Sequence, residues 1–167
     1  MNDTTGITIR RATEADVPSL GRLGALLIRT HYGFDRHRFL PPGSNPEAGY
    51  GRFLRSQLHG DDMAVFVAER EGVVIGYVWA GLEPISWKEL RDACGFIHDI
   101  VVEEPGRRSG AATALLDAAI DWVKGKGAPR VMLWTADQNH GAQRLFERLG
   151  FRRTMVEMTR ELGDEAG

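Results

Sequence analysis

Two arginines and a glycine stand at the start of a helix-like stretch, in EEPGRRSGAATALLDAAIDWV (residues 103–123). The N-terminus of a helix already carries partial positive charge, and acidic side chains usually complement it. Arg107 and Arg108 at this end therefore favour an anion that arrives from outside the chain. The small residues that follow, including Gly110, would let a phosphate approach the free N–H groups of the first helical turn.

Two well-known phosphate-binding patterns fail on this turn. A P-loop requires a lysine directly after its second glycine, and a dinucleotide fingerprint requires Gly-x-Gly-x-x-Gly directly after a strand. What remains is Arg107-x-x-Gly110-x-Ala112 at a junction between a strand and a helix. A helix start that packs closely on a sheet, with solvated arginines, explains the turn equally well, so the turn alone leaves both interpretations open.

A second group with chemical potential lies in the strand-like stretch FIHDIVV (residues 96–102). His98 has an ordinary pKa of ~6.5 and is suited to proton transfer near neutrality. Regular alternation would turn its side chain to the face of Phe96 and Asp99 to the opposite face, unless a bulge interrupts the strand. The alternative interpretation of His98 is a half-buried histidine that is hydrogen-bonded within the sheet.

Strand and helix patterns alternate along the chain and must position these residues. Periodicity and turn signals predict strands at Ile7–Ala12, Met63–Glu83 (a hairpin about Glu71-Gly72), Phe96–Val102, Val131–Ala136 and residues 151–162. The same signals predict helices at Val17–Tyr32, at Pro46–Leu58, from residue 107 to about Lys124 and from residue 140 to Gly150. The element order predicts an α/β fold with a mixed sheet, in a single domain that spans residues 1–167.

Composition narrows the class of protein. The chain has 167 residues, of which 43% are hydrophobic and 26% charged, and a net charge of −2. That charge argues against nucleic acid as a partner, and the apolar runs are too short for a membrane span. Cys94, the single cysteine, cannot form an internal disulfide, and the N-terminus has no apolar signal core. We therefore expect a cytoplasmic protein.

Two motifs together resemble those of the GNAT superfamily of acyl-CoA-dependent N-acyltransferases. The central motif of the family is a strand that ends in valine, followed by Arg/Gln-x-x-Gly-x-Gly/Ala, and it is matched by IVVEEPGRRSGAATALL. The second motif is matched by NHGAQRLFERLGF, with Asn139, Ala142, Leu145, Gly150 and Phe151 at its defining positions. The resemblance extends from Ile7 to Leu162. It implies a mixed, mostly antiparallel sheet with splayed central strands and with helices on both faces.

The resemblance also implies that acetyl-CoA is the co-substrate. In the family, the pyrophosphate lies on the helix N-terminus and the pantetheine arm pairs with the strand before it as a pseudo-strand. The residues that this assigns to the cofactor are Ile100, Val101, Val102, Arg107, Arg108, Ser109, Gly110, Ala111, Ala112, Asn139 and Phe146. Asn139 would contact pantetheine or cap the second helix, and the two roles are compatible.

The activity that the resemblance implies is transfer of an acetyl group to a primary amine of a small molecule or peptide, by direct attack on the thioester. It assigns catalysis to His98 and Asp99, requires no metal, and supports a homodimer by analogy alone. The acceptor pocket would contain His31, Tyr32, Phe34 and Trp87. We interpret Trp122 and Trp134 as core residues, and the four tryptophans as too scattered for a stacking platform.

Phe146 is a departure from the family pattern. Most members have a tyrosine at this position, which is proposed to protonate the leaving thiolate, and phenylalanine has no proton to donate. A thiol has a pKa of ~8.5, so a thiolate leaves without strong assistance. The departure nevertheless leaves an alternative function open, a non-catalytic CoA-binding or acyl-CoA-binding sensor or interaction module.

Overall fold

A computed structural model describes residues 6–163 of the chain. The predicted single domain also includes residues 1–5 and 164–167, and the argument about an N-terminal signal also uses residues 1–5. These residues lie outside the described part of the chain. In chain order, the elements are β1 (Ile7–Arg11), α1 (Val17–Phe34), α2 (Pro46–Ser56), β2 (Met63–Arg70), β3 (Val73–Glu83), β4 (Cys94–Val102), α3 (Ala111–Gly125), β5 (Val131–Leu133) and α4 (His140–Arg148).

The five strands form one sheet in the order β1-β2-β3-β4-β5. The first three pairs of neighbours are antiparallel, and β4 and β5 are parallel. This confirms the mixed, mostly antiparallel sheet. The predicted hairpin is also confirmed, since β2 and β3 are joined by residues 71 and 72.

Helices cover both faces of the sheet, as predicted. On one face, Leu115 and Leu116 of α3 pack with buried residues of β3 and β4 and with Phe146 of α4. On the other face, Leu20 of α1 and Leu54 of α2 pack on β2, β3 and β4. Burial of these apolar side chains is the main force that holds the helices on the sheet. The two faces are called the α3 face and the α1/α2 face below.

Strands β4 and β5 are paired over only three positions. Gly95–Ile97 lies beside Val131–Leu133, and from His98 to Val102 the edge of β4 that faces away from β3 has no strand partner. Gly95 permits close packing here, because a Cβ at this position would lie 2.2 Å from Cγ1 of Val123 on α3. The predicted splay of the central strands is therefore present.

The prediction of a last strand in residues 151–162 is wrong. The ring of Phe151 packs against the core on the α3 face, but from Arg152 to Leu162 the chain belongs to no strand and is exposed. Met155, Val156 and Met158 are 80–91% exposed. Strand β5 ends after three residues, so the sheet edge beside this segment is too short to provide a ladder of hydrogen bonds.

An ion-pair cluster joins the N-terminal elements. Asp16, just before α1, accepts hydrogen bonds from Arg10 at 2.8 and 2.9 Å and from the backbone N–H of Thr13 at 2.8 Å. Arg10 also donates to Glu69 of β2 at 2.8 Å. The Arg10 guanidinium holds the pKa of Asp16 at about 2. The cluster thereby connects β1, the start of α1 and β2.

Candidate active site

The loop after β4 presents backbone N–H groups at the N-terminus of α3. Helix α3 begins at Ala111, later than the sequence predicts, and Gly110 before it has φ = +82°. The first hydrogen bond at this end of the helix joins the N–H of Ala114 to the carbonyl of Gly110 at 2.9 Å. The N–H groups of residues 111–113 therefore have no partner within the helix, which is the arrangement that binds anions.

The two arginines of this loop are exposed and close to the end of β4. Arg107 donates from Nε to the carbonyl of Val102 at 3.3 Å, which fixes the start of its side chain beside the strand end. Arg108 has φ = +63°. The Ser109 hydroxyl donates to the carbonyl of Gly106 within the loop. The predicted phosphate-binding residues are therefore gathered at the end of the unpaired edge of β4.

A β-bulge in β4 changes which face its polar side chains occupy. Asp99 is paired with Trp79 and Ile97 with Ala80, so His98 is an extra residue with no opposite partner on β3. The expectation that His98 and Asp99 point to opposite faces is therefore wrong, and the bulge alternative holds. Both side chains lie on the α1/α2 face, whereas Ile100 packs on the α3 face.

Asp99 is a buried carboxyl group held by two tyrosines. It is 9% exposed and accepts from the hydroxyl of Tyr50 at 2.5 Å and from that of Tyr77 at 3.0 Å. Burial raises the pKa of Asp99, and the two hydrogen bonds oppose this rise because they stabilise the charged form. Burial and the neighbouring carboxylate raise the pKa of both tyrosines, so they remain hydrogen-bond donors.

His98 is half-buried between two aromatic rings. Its imidazole stacks on Trp79, with ring centroids 4.3 Å apart, and on Phe96 at 5.0 Å. Its Nε2 lies 3.1 Å from Oε1 of Glu83, although the two are not aligned as a hydrogen bond. Burial lowers the pKa of His98, and the carboxylates of Glu83 and Asp99 oppose that effect. A neutral imidazole at this position can accept a proton at neutral pH.

The residues predicted for the acceptor pocket are divided between two regions. His31 bonds through Nδ1 to the carbonyl of Leu27 at 2.9 Å, and its ring contacts that of Phe34. His31 is also close enough to Asp99 to lower the pKa of that carboxyl electrostatically. Tyr32 lies nearby on α1 and contacts the guanidinium of Arg36.

Trp87 lies apart from these residues, in the connection between β3 and β4. Its side chain is 87% exposed and lines an open cleft of about 310 Å³ with Ile85 and Leu90. Among the described residues, no ring contact joins Trp87 to His31, Tyr32 or Phe34.

Asn139 and Phe146 have clear structural roles. The side-chain oxygen of Asn139 accepts from the N–H of Ala142 at 3.2 Å and caps α4, so the capping alternative is present. Phe146 is 6% exposed and lies in the core on the α3 face, against Phe151. Contact of either residue with a cofactor stays a prediction.

Five residues of the site were missed from the sequence. Tyr50, Phe53, Tyr77, Trp79 and Glu83 surround His98 and Asp99. Alternation along β3 would have placed Tyr77, Trp79 and Gly81 on one face, but no sequence signal brings α2 onto β4. The interpretation of Trp134 as a core residue is wrong: it is 70% exposed and contacts the edge of Phe96, because β5 ends one residue earlier.

Within residues 6–163, no cluster of three or more histidine, cysteine or acidic side chains is arranged to hold a metal ion. Each helix in the same part of the chain is too short or too polar to span a lipid bilayer.

Residues 30–151 match the family model described as Acetyltransferase (GNAT) family. The chain belongs to this family. The match includes the bulged strand, the loop before α3 and the start of α4, which together carry the candidate active site. The splay between β4 and β5 is the one that the family resemblance predicts.

Relatives and solved structures agree with a GNAT fold. The uncharacterized N-acetyltransferase MJ1207 of Methanocaldococcus jannaschii is 30% identical over 86% of this chain and 60% of its own length. The mycothiol acetyltransferase of Thermomonospora curvata is 31% identical over 59% of this chain but only 31% of its own length. The chain therefore spans less than two thirds of these two relatives.

Two solved structures are similar over nearly the whole chain. A mutant of the BH1408 protein from Bacillus halodurans has a TM-score of 0.79 at 23% identity, covering 93% of this chain and 99% of that one. The aminoglycoside N-acetyltransferase AAC(6')-Iy, in complex with CoA, has a TM-score of 0.72 at 23% identity, covering 94% and 95%. At this level of identity the likeness establishes the fold.

Proposed function

We propose that this GNAT protein, as a single domain over residues 1–167, is an acetyl-CoA-dependent N-acetyltransferase that acts on a primary amine of a small molecule or peptide. The observation that carries the proposal is the edge of β4, unpaired from His98 to Val102, which leads from the bulge to the N-terminus of α3. Unpaired strand groups and free helix N–H groups in one line fit a long ligand with amides and a pyrophosphate.

The cofactor would lie along this line. Its pantetheine amides would pair with the backbone of Ile100–Val102, and its pyrophosphate would lie on the N–H groups at Gly110–Ala112, with Arg107 and Arg108 beside it. The CoA complex of AAC(6')-Iy, a structure of the same fold, supports this choice of cofactor. A bound acetyl thioester would then lie beside the bulge, next to His98.

The reaction would proceed by direct attack of the amine. The amine nitrogen forms a bond to the acetyl carbon, the carbon–sulfur bond breaks, and CoA leaves as a thiolate. His98 would accept the proton that the attacking nitrogen loses, directly or through water. Asp99 would attract the ammonium form of the acceptor and stabilise a protonated His98. Holding both substrates in place would supply much of the rate.

The test is release of the CoA thiol from acetyl-CoA in the presence of a panel of primary amines. We expect amine-dependent release and an acetylated amine of the matching mass. The alternative, a CoA-binding sensor or interaction module that Phe146 keeps open, predicts saturable binding of CoA with no release for any amine. Lack of CoA binding would contradict both.

We propose that the acceptor contacts His31, Tyr32, Phe34 and Trp87. The electrostatic influence of His31 on Asp99 supports the first part of this group, and the exposed cleft at Trp87 supports only a peripheral contact. Phe34→Ala and Trp87→Ala, measured side by side, would separate the two regions. Substitution of a residue that belongs to the pocket should raise the KM for the amine severalfold and leave the KM for acetyl-CoA unchanged.

We also propose that the protein is a homodimer in the cytoplasm. Met155, Val156 and Met158 in the segment after α4 expose apolar surface that a second copy would cover. Light scattering of the full chain and of a chain ending at Arg153, which keeps Phe151 in the core, tests this. A monomeric full-length chain would contradict the dimer. The cytoplasmic location is a proposal that fractionation of cells expressing the full chain would test.

A further inference from the structure

Six aromatic rings form a continuous row across the α1/α2 face of the sheet. In order, the neighbouring centroids are 5.4 Å (Tyr50–Phe53), 5.2 Å (Phe53–Trp79), 4.3 Å (Trp79–His98), 5.0 Å (His98–Phe96) and 5.3 Å (Phe96–Trp134) apart. We call this row the aromatic wall. It joins α2, β3 and β4 to the residue that follows β5, and it crosses the sheet where β4 and β5 separate.

The aromatic wall is exposed to solvent at Phe53 and Trp134 and half-buried in its middle. The Phe53 side chain is 41% exposed and that of Trp134 is 70% exposed, whereas Trp79 and His98 are half-buried between them. Large apolar rings left exposed on a sheet face that is otherwise covered by helices are typical of a ligand-binding surface.

Two buried nitrogen atoms on the wall make no aligned hydrogen bond, although His98 Nε2 lies 3.1 Å from the carboxylate of Glu83. Across the described part of the chain, Trp79 Nε1 and His98 Nε2 are the only buried side-chain nitrogen or oxygen atoms in this condition. Buried polar atoms are nearly always paired, and an unpaired one is unfavourable by the desolvation that it suffers. The Trp79 indole N–H is a donor with no acceptor in the described part of the protein, so an acceptor atom of a ligand at this point would satisfy it.

The charges beside the wall are negative. Asp99 bonds to Tyr50 at one end, and Glu83 lies 3.1 Å from His98 in the middle. Aromatic faces together with carboxylates attract an organic cation, because the ring quadrupole and the anions act in the same direction. A primary amine is such a cation before it loses its proton.

We propose that the acceptor is a primary amine carried on an aromatic or heteroaromatic ring system, with its ring against Phe53 and Trp79 and its amino group at His98. This inference rests on the proposed N-acetyltransferase function and specifies its substrate class. A polycationic amino sugar fits this surface less well, because its several ammonium and hydroxyl groups require more polar partners than two carboxylates beside apolar rings provide.

The first experiment compares two amines that differ only in aromaticity. 2-Phenylethylamine and 2-cyclohexylethylamine have the same carbon skeleton and the same position of the amine, and only the first has a π system. CoA thiol release at saturating acetyl-CoA gives kcat/KM for each, with kanamycin as the amino-sugar probe. We expect a preference for the phenyl compound of roughly tenfold over both others, the range of one or two aromatic contacts.

The second experiment removes rings from the wall. Phe53→Leu and Trp79→Leu should reduce the phenyl-to-cyclohexyl ratio towards one and leave the KM for acetyl-CoA unchanged. Phe66→Leu is the matched control, since Phe66 packs on the α3 face of the same sheet and should leave the ratio unchanged. Phe53 is partly exposed, so Phe53→Leu keeps the test valid if Trp79→Leu does not fold.

Calorimetric titration of each amine into the protein with CoA provides a measure of binding that needs no turnover. Tighter binding of 2-phenylethylamine, lost in Phe53→Leu, would support an aromatic amine as the ligand of this surface. If no amine of the panel then released CoA, only the proposed transferase function would be overturned. CoA release with equal or reversed preference between the ring compounds, or with kanamycin as the best acceptor, would overturn the aromatic acceptor and leave the transferase function standing. Neither binding nor release would overturn both.

Discussion

The proton transfer that we propose at His98 would depend on a balance between burial and neighbouring charge. Burial between Trp79 and Phe96 lowers the pKa of His98, while Glu83 and Asp99 act in the opposite direction. The larger effect is burial, so the imidazole is neutral at pH 7 and can receive a proton. The tyrosine that is common at position 146 in the family has no equivalent here, and no tyrosine ionisation near pH ~10 should limit the rate from that position.

We predict that His98 sets the acidic limb of the rate profile. Activity should rise as the pH increases through the pKa of His98, which lies below its ordinary value of ~6.5, and then reach a plateau. His98→Gln should lower kcat roughly 100-fold and remove this limb. His59→Gln serves as the control, because His59 is exposed and pairs with Glu14. A limb that persists in His98→Gln would instead assign the proton to Asp99 or to water.

The tyrosines around Asp99 allow a second prediction. The hydroxyl of Tyr50 lowers the pKa of Asp99 against the effect of burial, so Tyr50→Phe should raise the pKa of that carboxyl further. If the carboxylate is the active form, activity at pH 6 should fall more than activity at pH 8. Tyr77→Phe removes the longer, 3.0 Å bond and should shift the profile less. A loss of stability with an unshifted profile would show that Tyr50 is only structural.

At the scale of elements, the bulge in β4 and the left-handed residue before α3 arrange the site. The bulge brings two polar side chains of one strand to the same face, and the splay leaves the strand edge beside them unpaired. Gly110, with φ = +82°, turns the chain from the loop into α3 so that the helix N-terminus faces that edge. Any residue with a Cβ is strained in this conformation.

We predict that Gly110→Val abolishes CoA binding. Its side chain would occupy the approach to the N–H groups at the start of α3 and would also strain the backbone. Gly127→Val is the matched control, since Gly127 has φ = +78° but lies at the opposite end of α3 with no atom near its missing Cβ. Both variants should lose similar stability in thermal unfolding, and calorimetry should detect loss of CoA affinity only for Gly110→Val. Equal affinities in the two variants would contradict the site.

At the scale of the whole molecule, the cluster of Arg10, Asp16 and Glu69 fastens the N-terminal strand and helix to the sheet. Arg10 holds the pKa of Asp16 at about 2, below its ordinary value of 3.8. A carboxyl with a lowered pKa in the folded state stabilises the protein above pH ~4, and this contribution is lost as the pH falls through ~4 towards ~2. Asp16 is 6% exposed but the Arg10 side chain is 36% exposed, so solvent screens the interaction in part.

We predict that Asp16→Asn reduces the free energy of unfolding at pH 7 by on the order of 2 kcal/mol. The difference from the wild-type protein should shrink as the pH is lowered from 5 to 2, and urea unfolding at several pH values would measure it. Asp117→Asn provides the control, because Asp117 is exposed on α3. A difference independent of pH would show that the contribution of Asp16 is packing and not charge.

The sequence by itself determined the fold class and the order of the elements as far as α4, and it predicted the phosphate-binding turn. These features depend on local patterns: the alternation in β2 and β3, the apolar face of α3, and the arginines and glycine that precede it. Helix caps such as Asn139 were also readable, since a cap bonds to a residue three positions away. The paired motifs added the family, and with it the splay between β4 and β5.

Only the tertiary structure decided which side chains come together in the candidate active site. Tyr50 and Asp99 are 49 positions apart, and their hydrogen bond depends on how α2 packs on the sheet. The extra residue at His98 depends on the pairing of β4 with β3, because a bulge is a mismatch between two strands and has no signature in one of them. The predicted last strand failed for the same reason: a strand forms only where a neighbouring edge offers hydrogen bonds, and β5 is three residues long.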